Sequence, residues 1–358
     1  MKITRVNKVL ELMKNENLTQ MVVSNPAAIF YLTGKWIHPG ERMLALYLNA
    51  NGNHKLFNNE LFPIAEDLGV DIVWYNDTQD AISKMIPFLD QSAPIGIDGE
   101  WPSKFLMKIM NQSTCQKYVN GSLLVDKVRM QKDEEEKELM RTASKLNDMA
   151  MERLQKEVKI GVTEKELMNK LQAIYEDLGA EGFSFTPIIG FGANAADPHY
   201  ETGNAVVKAG DSVVLDIGCV KDSYVSDMTR TVFFGEASEK GKEIYAIVKE
   251  ANERAIRAVK PGVRFCDIDA AARDYITEKG YGQYFVHRTG HSIGIEVHDF
   301  GDVSSVNTDT LKPGMIFSIE PGIYLSGEVG VRIEDLVIVT EDGCENLNSF
   351  SKELKIIG

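Results

Sequence analysis

The sequence predicts two domains: an α/β domain over residues 1–125 and an α+β domain over residues 126–358. In the second, helices cover a curved antiparallel sheet, and two halves are related by a pseudo-twofold internal duplication. Three observations carry this. Before residue 125, short apolar strand patterns alternate with helical ones. A charged stretch from Val125 to Lys137 then breaks the pattern. Beyond it, one motif occurs twice. Lys208-Ala-Gly210 leads through an apolar run to Asp216-Ile-Gly218, and Lys312-Pro-Gly314 leads through another to Glu320-Pro-Gly322. A matched pair lies upstream at nearly the same offset: Lys159-Ile-Gly161-Val162 before Glu166-Leu167, and Lys260-Pro-Gly262-Val263 before Asp267-Ile268.

In the first domain, helical spacing runs from Arg5 to Asn15, near Asp80 to Leu89 and near Pro102 to Asn111. Strand patterns cover Met21-Val22-Val23, Met43 to Leu48, Asp71 to Trp74 and Pro94 to Ile97. No phosphate loop or dinucleotide fingerprint interrupts them. In the second domain, Asp133-Glu-Glu-Glu-Lys137 opens a helix reaching about Glu157, its acids matched to the positive end of the helix dipole. Thr163-x-x-Glu166 reads as a capping box before the next helix. Glu239 to Val259 and Asp267 to Lys279 form the matching pair in the second copy.

With 358 residues and 44% hydrophobic content, the chain can bury a large core. Its net charge of −14 argues against nucleic acid as a partner. No apolar run is long enough for a membrane-spanning helix, and the N-terminus opens an amphipathic helix rather than a signal core. Cys115, Cys219, Cys266 and Cys344 are scattered without a CxxC pair, which suits reduced thiols in the cytoplasm.

The duplicated motif ends each buried strand on an acid. A bare buried charge is too costly, so such an acid is paired, protonated or metal-bound. Asp216 and Asp227 fit neighbouring strands of one hairpin, and Glu320 and Glu334 fit the equivalent hairpin of the second copy. Gly218 and Gly322 would let the chain turn tightly beside them. His287, His291 and His298 crowd one short stretch, which a single core histidine would not require. Four carboxylates with an imidazole make an oxygen-rich, sulfur-free donor set. It suits two divalent cations per subunit, manganese or cobalt ahead of zinc or iron.

In order and spacing, Asp216, Asp227, His291, Glu320 and Glu334 resemble the five metal ligands of the "pita-bread" metallopeptidases. That family includes methionine aminopeptidase, aminopeptidase P and Xaa-Pro dipeptidase (prolidase). The resemblance covers the whole chain. It is carried by Asp-x-Gly, Ser-Asp-Met-Thr-Arg-Thr, Gly-His-x-x-Gly, Ile-Glu-Pro-Gly-Ile-Tyr and Val-Arg-Ile-Glu-Asp. The N-terminal domain is similar to that of prolidase, aminopeptidase P and creatinase.

The resemblance implies hydrolysis of Xaa-Pro bonds, foremost as a dipeptidase acting on proline-containing peptides, through a water held between two metals. The alternative is an aminopeptidase P acting on longer peptides, and a remoter one is a non-catalytic metal- or peptide-binding scaffold. Asp227 and Glu334 would bridge the metals, Glu320 would also shuttle a proton, and His199 and His298 would meet the substrate carbonyl. His287, Arg332 and Thr229 would support the ligands or the substrate.

Two departures stand out. Asp299 replaces the more usual Glu. Asp302 stands near where some archaeal-type prolidases carry an arginine for the substrate carboxylate. The loop Lys35 to Arg42, with His38 and Arg42, is then the candidate cation source, reaching the partner's site across a homodimer.

Overall fold

The computed structural model describes residues 1–358. The chain divides into two compact units, Met1–Arg129 and Met130–Gly358.

The first unit is built on a six-stranded mixed sheet. Its order is Asp71–Tyr75, Lys55–Asn59, Ala45–Asn49, Gln20–Val23, Ile95–Ile97 and Tyr118–Asn120. The four expected strands are all present; Lys55–Asn59 and Tyr118–Asn120 are additional. Lys55–Asn59 pairs on both sides although it ends in two asparagines. Asn58 donates to the Phe62 carbonyl, and Asn59 donates to Asp77 while accepting from the Leu61 amide. Polar side chains with such partners can be buried where alternation predicts a loop. The helix Pro26–Thr33 also escapes a periodicity reading, because nearly every residue in it is buried. Asn25 caps it by accepting from the Ala28 amide, and Gly34, at φ 80°, ends it.

The second unit repeats one plan. Helices Glu134–Glu157 and Glu164–Leu178 precede one set of strands, and helices Glu239–Ala258 and Phe265–Glu278 precede the other. Asp133 with Glu136, and Thr163 with Glu166, form reciprocal capping boxes at the first two helix starts. In the second copy, Ile244, Val248, Ala251 and Ala255 make one apolar stripe, packed with Phe317, Val331 and Val337 in a single core. Met151 and Leu154 do the same in the first copy with Leu167, Leu171, Val213 and Leu215.

The strands place the acids. Ser212–Ile217 pairs antiparallel with Met228–Phe234, setting Asp216 opposite Thr229 and Asp227 just before the second strand. Ile316–Ile319 pairs with Asp335–Val339, leaving Glu320 just after one strand and Glu334 just before the other. Beyond the acids a short hairpin continues in each copy: Cys219–Lys221 with Tyr224–Val225, and Gly322–Leu325 with Val329–Arg332. The ladder is therefore broken into separate antiparallel pieces at the acids, and Ile356–Ile357 adds a parallel edge to Met228–Phe234.

Side chains complete the seam between the copies. Thr231 Oγ1 donates to the Arg332 carbonyl and accepts from its amide, and the Glu334 amide donates to the Thr229 carbonyl. Gly218 and Gly322 do not take positive φ, so the expected tight turn is not their role. They permit close approach instead: a Cβ at Gly218 would strike Ser184 and the Ser226 carbonyl, and one at Gly322 would strike the Tyr324 ring.

Candidate metal centre

Asp216, Asp227, His291, Glu320 and Glu334 line one cavity of the second unit, of about 320 Å³. Asp216, Asp227, His291 and Glu334 are buried. Donor atoms of Asp227, His291 and Glu334 all lie within 4.8 Å of one another. His291 Nε2 is 3.6 Å from Asp227 Oδ2 and 3.5 Å from Glu320 Oε1.

The tautomer of His291 decides what this cluster can hold. Its Nδ1 lies 3.2 Å from the Ser292 carbonyl, which only accepts, so Nδ1 carries the proton. Burial and the neighbouring His298 push the imidazole pKa down to about 3, so the ring is neutral. Nε2 therefore turns a lone pair towards two carboxylate groups, at 3.5–3.6 Å and with no hydrogen bond to either, an arrangement that a cation between them makes favourable.

The carboxylates give the same answer. Burial, followed by Glu334, Asp216 and Glu320, pushes the Asp227 carboxyl well above its usual range. Burial, then Glu320 and Asp216, does the same to Glu334. Burial raises Glu320 to about 7. Asp216 Oδ1 and Asp227 Oδ1 are buried without a hydrogen-bond partner. Orphaned acceptors among mutually repelling acids fit divalent cations, which would displace the protons and occupy the free lone pairs.

A chain of hydrogen bonds orients the cluster. Arg332 donates from NH2 to Asp216 Oδ2 (2.6 Å), from Nε to Thr229 Oγ1 (3.2 Å) and from NH1 to the Tyr324 hydroxyl (2.9 Å). Thr229 donates to Glu334 Oε2 at 2.7 Å. The Tyr324 hydroxyl lies 2.8 Å from His287 Nε2, and His287 Nδ1 lies 2.7 Å from the Arg288 carbonyl. That carbonyl assigns the proton to Nδ1, so Tyr324 donates to Nε2. Burial, then the Arg332 cation, holds the His287 pKa down at about 3. His287 is thus a neutral link in the chain rather than a free acid or base.

His199 and His298 also line the cavity. The His298 ring packs edge-on against His291, with centroids 4.3 Å apart. Phe185, Ile188, Pro198 and Val297 supply apolar wall. His38 and Arg42 are not part of this lining. They belong to the first unit, where Arg42 donates through Nε and NH2 to the two oxygens of Asp77, both at 2.8 Å, and His38 stacks on Trp36. The cavity carries its own cation, Arg288, exposed and bound by no hydrogen bond or ion pair. Arg288 sits inside the histidine-rich stretch that marked the site, but sequence alone could not say whether it faced the cavity. Tyr324 was likewise visible only as part of a motif.

A duplicated α+β unit that collects buried oxygen donors and one neutral imidazole around a cavity defines a metal-dependent enzyme. Comparison with known proteins narrows the class. Residues 138–341 match metallopeptidase family M24, and residues 5–131 match the creatinase/prolidase N-terminal domain. An uncharacterized peptidase of Staphylococcus aureus (strain MSSA476) is 36% identical over 353 residues, covering 98% of this chain and 100% of that protein. The crystal structure of a prolidase from Thermococcus sibiricus superposes with a TM-score of 0.94 at 31% identity, covering 100% of this chain and 99% of that one. An Xaa-Pro dipeptidase from Bacillus anthracis gives a TM-score of 0.91 at 30% identity, covering 100% of both chains. The chain belongs to metallopeptidase family M24. No helix is long and apolar enough to cross a membrane.

Proposed function

We propose that the protein hydrolyses the bond before proline in dipeptides, with Asp216, Asp227, His291, Glu320 and Glu334 holding two divalent cations. The observation that carries this is the lone pair of His291 Nε2, aimed at Asp227 and Glu320 inside a cavity of about 320 Å³. Similarity to proteins described as prolidase and Xaa-Pro dipeptidase supports the substrate class. Manganese or cobalt ahead of zinc or iron, a cytoplasmic setting and a homodimer belong to the same reading.

Bound there, the cations would acidify a water and polarise the scissile carbonyl. The protein's own groups do the rest. Glu320, which accepts from Ser318 Oγ at 3.2 Å, would take up the proton of the attacking water and pass it to the leaving nitrogen. His199 and His298 each offer a ring N–H to the developing oxyanion. Arg332 orients Asp216 through its 2.6 Å hydrogen bond, and is itself fixed by Tyr324 and Thr229. The apolar wall suits the proline ring. Arg288 suits the free carboxylate, which in a dipeptide lies one residue from the cleaved bond.

The test is turnover of Ala-Pro against Ala-Pro-Ala by protein reconstituted with manganese or cobalt. Cleavage of Ala-Pro well ahead of the tripeptide is expected. Cleavage of the tripeptide alone would make it an aminopeptidase, and cleavage of neither would overturn the reading.

A further inference from the structure

The two cavity histidines are held in different ways. His298 has a ring partner in His291, and the next residue, Asp299, pairs with buried Lys132 at 3.1 Å. The His199 side chain stands exposed in the cavity, so its place is set through the backbone around it. That backbone converges on one fully buried carboxylate, Glu164, in the first turn of helix Glu164–Leu178.

Glu164 Oε1 accepts from the Phe191 amide and from Asn194 Nδ2, both at 2.9 Å. Its Oε2 accepts from the Tyr200 hydroxyl at 2.8 Å and the Gly203 amide at 3.2 Å. Asn194 Nδ2 also donates to the Tyr200 hydroxyl at 2.8 Å. All four donors are uncharged and all lie on residues 191–203, the segment that carries His199. Burying a carboxylate with no cation is costly. Here the helix dipole and four hydrogen bonds offset that cost. Tyr200 is the immediate neighbour of His199. On the other side, the His199 amide donates to Asp197 Oδ1 at 3.0 Å, and Arg332 NH1 reaches the Pro198 carbonyl at 3.4 Å.

We propose that Glu164 is a positioning residue for His199: its carboxylate gathers the 191–203 segment so that the imidazole faces the metal centre. The role rests on the reading of His199 as a group that meets the substrate carbonyl. A glutamine cannot replace it, because in either orientation its NH2 confronts a backbone N–H, at Phe191 or at Gly203.

The experiment compares Glu164→Gln, Tyr200→Phe, His199→Ala and the Glu164→Gln/His199→Ala double variant in metal-loaded protein. Glu164→Gln should lower kcat by up to the loss seen in His199→Ala, about 10²-fold, with little change in KM or metal content. Tyr200→Phe, which removes one donor and leaves the charge, should do the same to a smaller extent. In the His199→Ala background Glu164→Gln should cost nothing more. An equal kcat loss from Glu164→Gln with and without His199 would overturn the proposal. Amide hydrogen exchange gives a readout independent of substrate. Exchange over residues 191–203 should rise in Glu164→Gln while that of strand Ser212–Ile217 stays unchanged. Unchanged exchange over 191–203 in both Glu164→Gln and Tyr200→Phe would also overturn it. Failure of the wild-type protein to cleave any Xaa-Pro peptide would instead count against the substrate assignment, and the exchange result would still decide whether Glu164 orders the segment.

Discussion

The two copies of the duplicated unit share a backbone plan but divide the chemistry unequally. The first copy supplies two aspartates, Asp216 and Asp227. The second supplies two glutamates, Glu320 and Glu334, together with His291. Two of the four acids are held across the copies. Asp216 of the first is held by Arg332 of the second, and Glu334 of the second is held by Thr229 of the first. Symmetry thus brings two broken strand pairs face to face, and the side chains that cross between them make a site neither half contains. The histidine segments show the same contrast. His298 is braced by ring packing and the Lys132–Asp299 pair, whereas His199 depends on hydrogen bonds to its backbone and neighbours.

The strongest way to break this comparison is to remove equivalent acids. Asp227 and Glu334 each sit just before a strand, so Asp227→Asn and Glu334→Gln should have matching effects. Both should release metal and lower activity by at least about 10³-fold, the equivalent of several kcal/mol of lost electrostatic stabilisation. Elemental analysis beside turnover checks this; a variant that kept full metal and activity would remove its residue from the centre. Chelation of the wild-type protein should reproduce the loss, with recovery on adding manganese or cobalt.

A smaller effect separates ligands from substrate contacts. His298→Ala should retain metal and lose about 10²-fold in kcat, the scale of one oxyanion donor. Metal loss equal to that in Asp227→Asn would show that His298 supports the metal instead. The cross-copy tie comes next. Arg332→Leu should weaken metal binding by about 10–100-fold, as loss of an orienting partner does. Metal titration would show no change if Asp216 were held independently.

Arg288→Gln should raise KM for a dipeptide by about 10-fold, the worth of one charge-assisted hydrogen bond. Its effect should be less when the substrate is C-terminally amidated, and kcat should move little. Arg42→Gln, measured alongside, should change KM less, since Asp77 already engages its guanidinium. The reverse order would return the carboxylate to the Lys35–Arg42 loop.

The smallest test concerns helix starts. Thr163 and Glu166 cap reciprocally, whereas the equivalent Arg264 has no acceptor and only pairs with Asp267 at the surface. Thr163→Ala should cost about 1 kcal/mol, and Arg264→Ala less. Thermal unfolding should place Thr163→Ala below Arg264→Ala, by at most about 2–4 °C.

Legibility followed the same division. Helices with one apolar stripe, such as Glu239–Ala258, and capped starts, such as Thr163–Glu166, were readable because their signals are local. Helix Pro26–Thr33 and strand Lys55–Asn59 were not. The first is buried nearly all round, and the second buries asparagines whose partners lie in neighbouring turns. In the site, the acids and His291 announced themselves as polar residues at buried strand ends. Glu164 did not, although it lies inside the recognised capping box. Its four donors are distant in sequence, so nothing nearby distinguishes it from an ordinary first-turn acid.

By itself, the sequence determined the duplication, the two-domain order and the donor types, because these depend on composition, period and spacing along the chain. Tertiary structure alone decided the proton on His291 Nδ1, the orphaned oxygens of Asp216 and Asp227, the tie from Arg332 to Asp216, and which cation faces the cavity. Each of these depends on geometry that only the folded backbone sets, and the Arg332–Asp216 tie on residues brought together from both copies. Burial then makes those distances matter, since a charge or lone pair removed from water must be answered by whatever the fold places beside it.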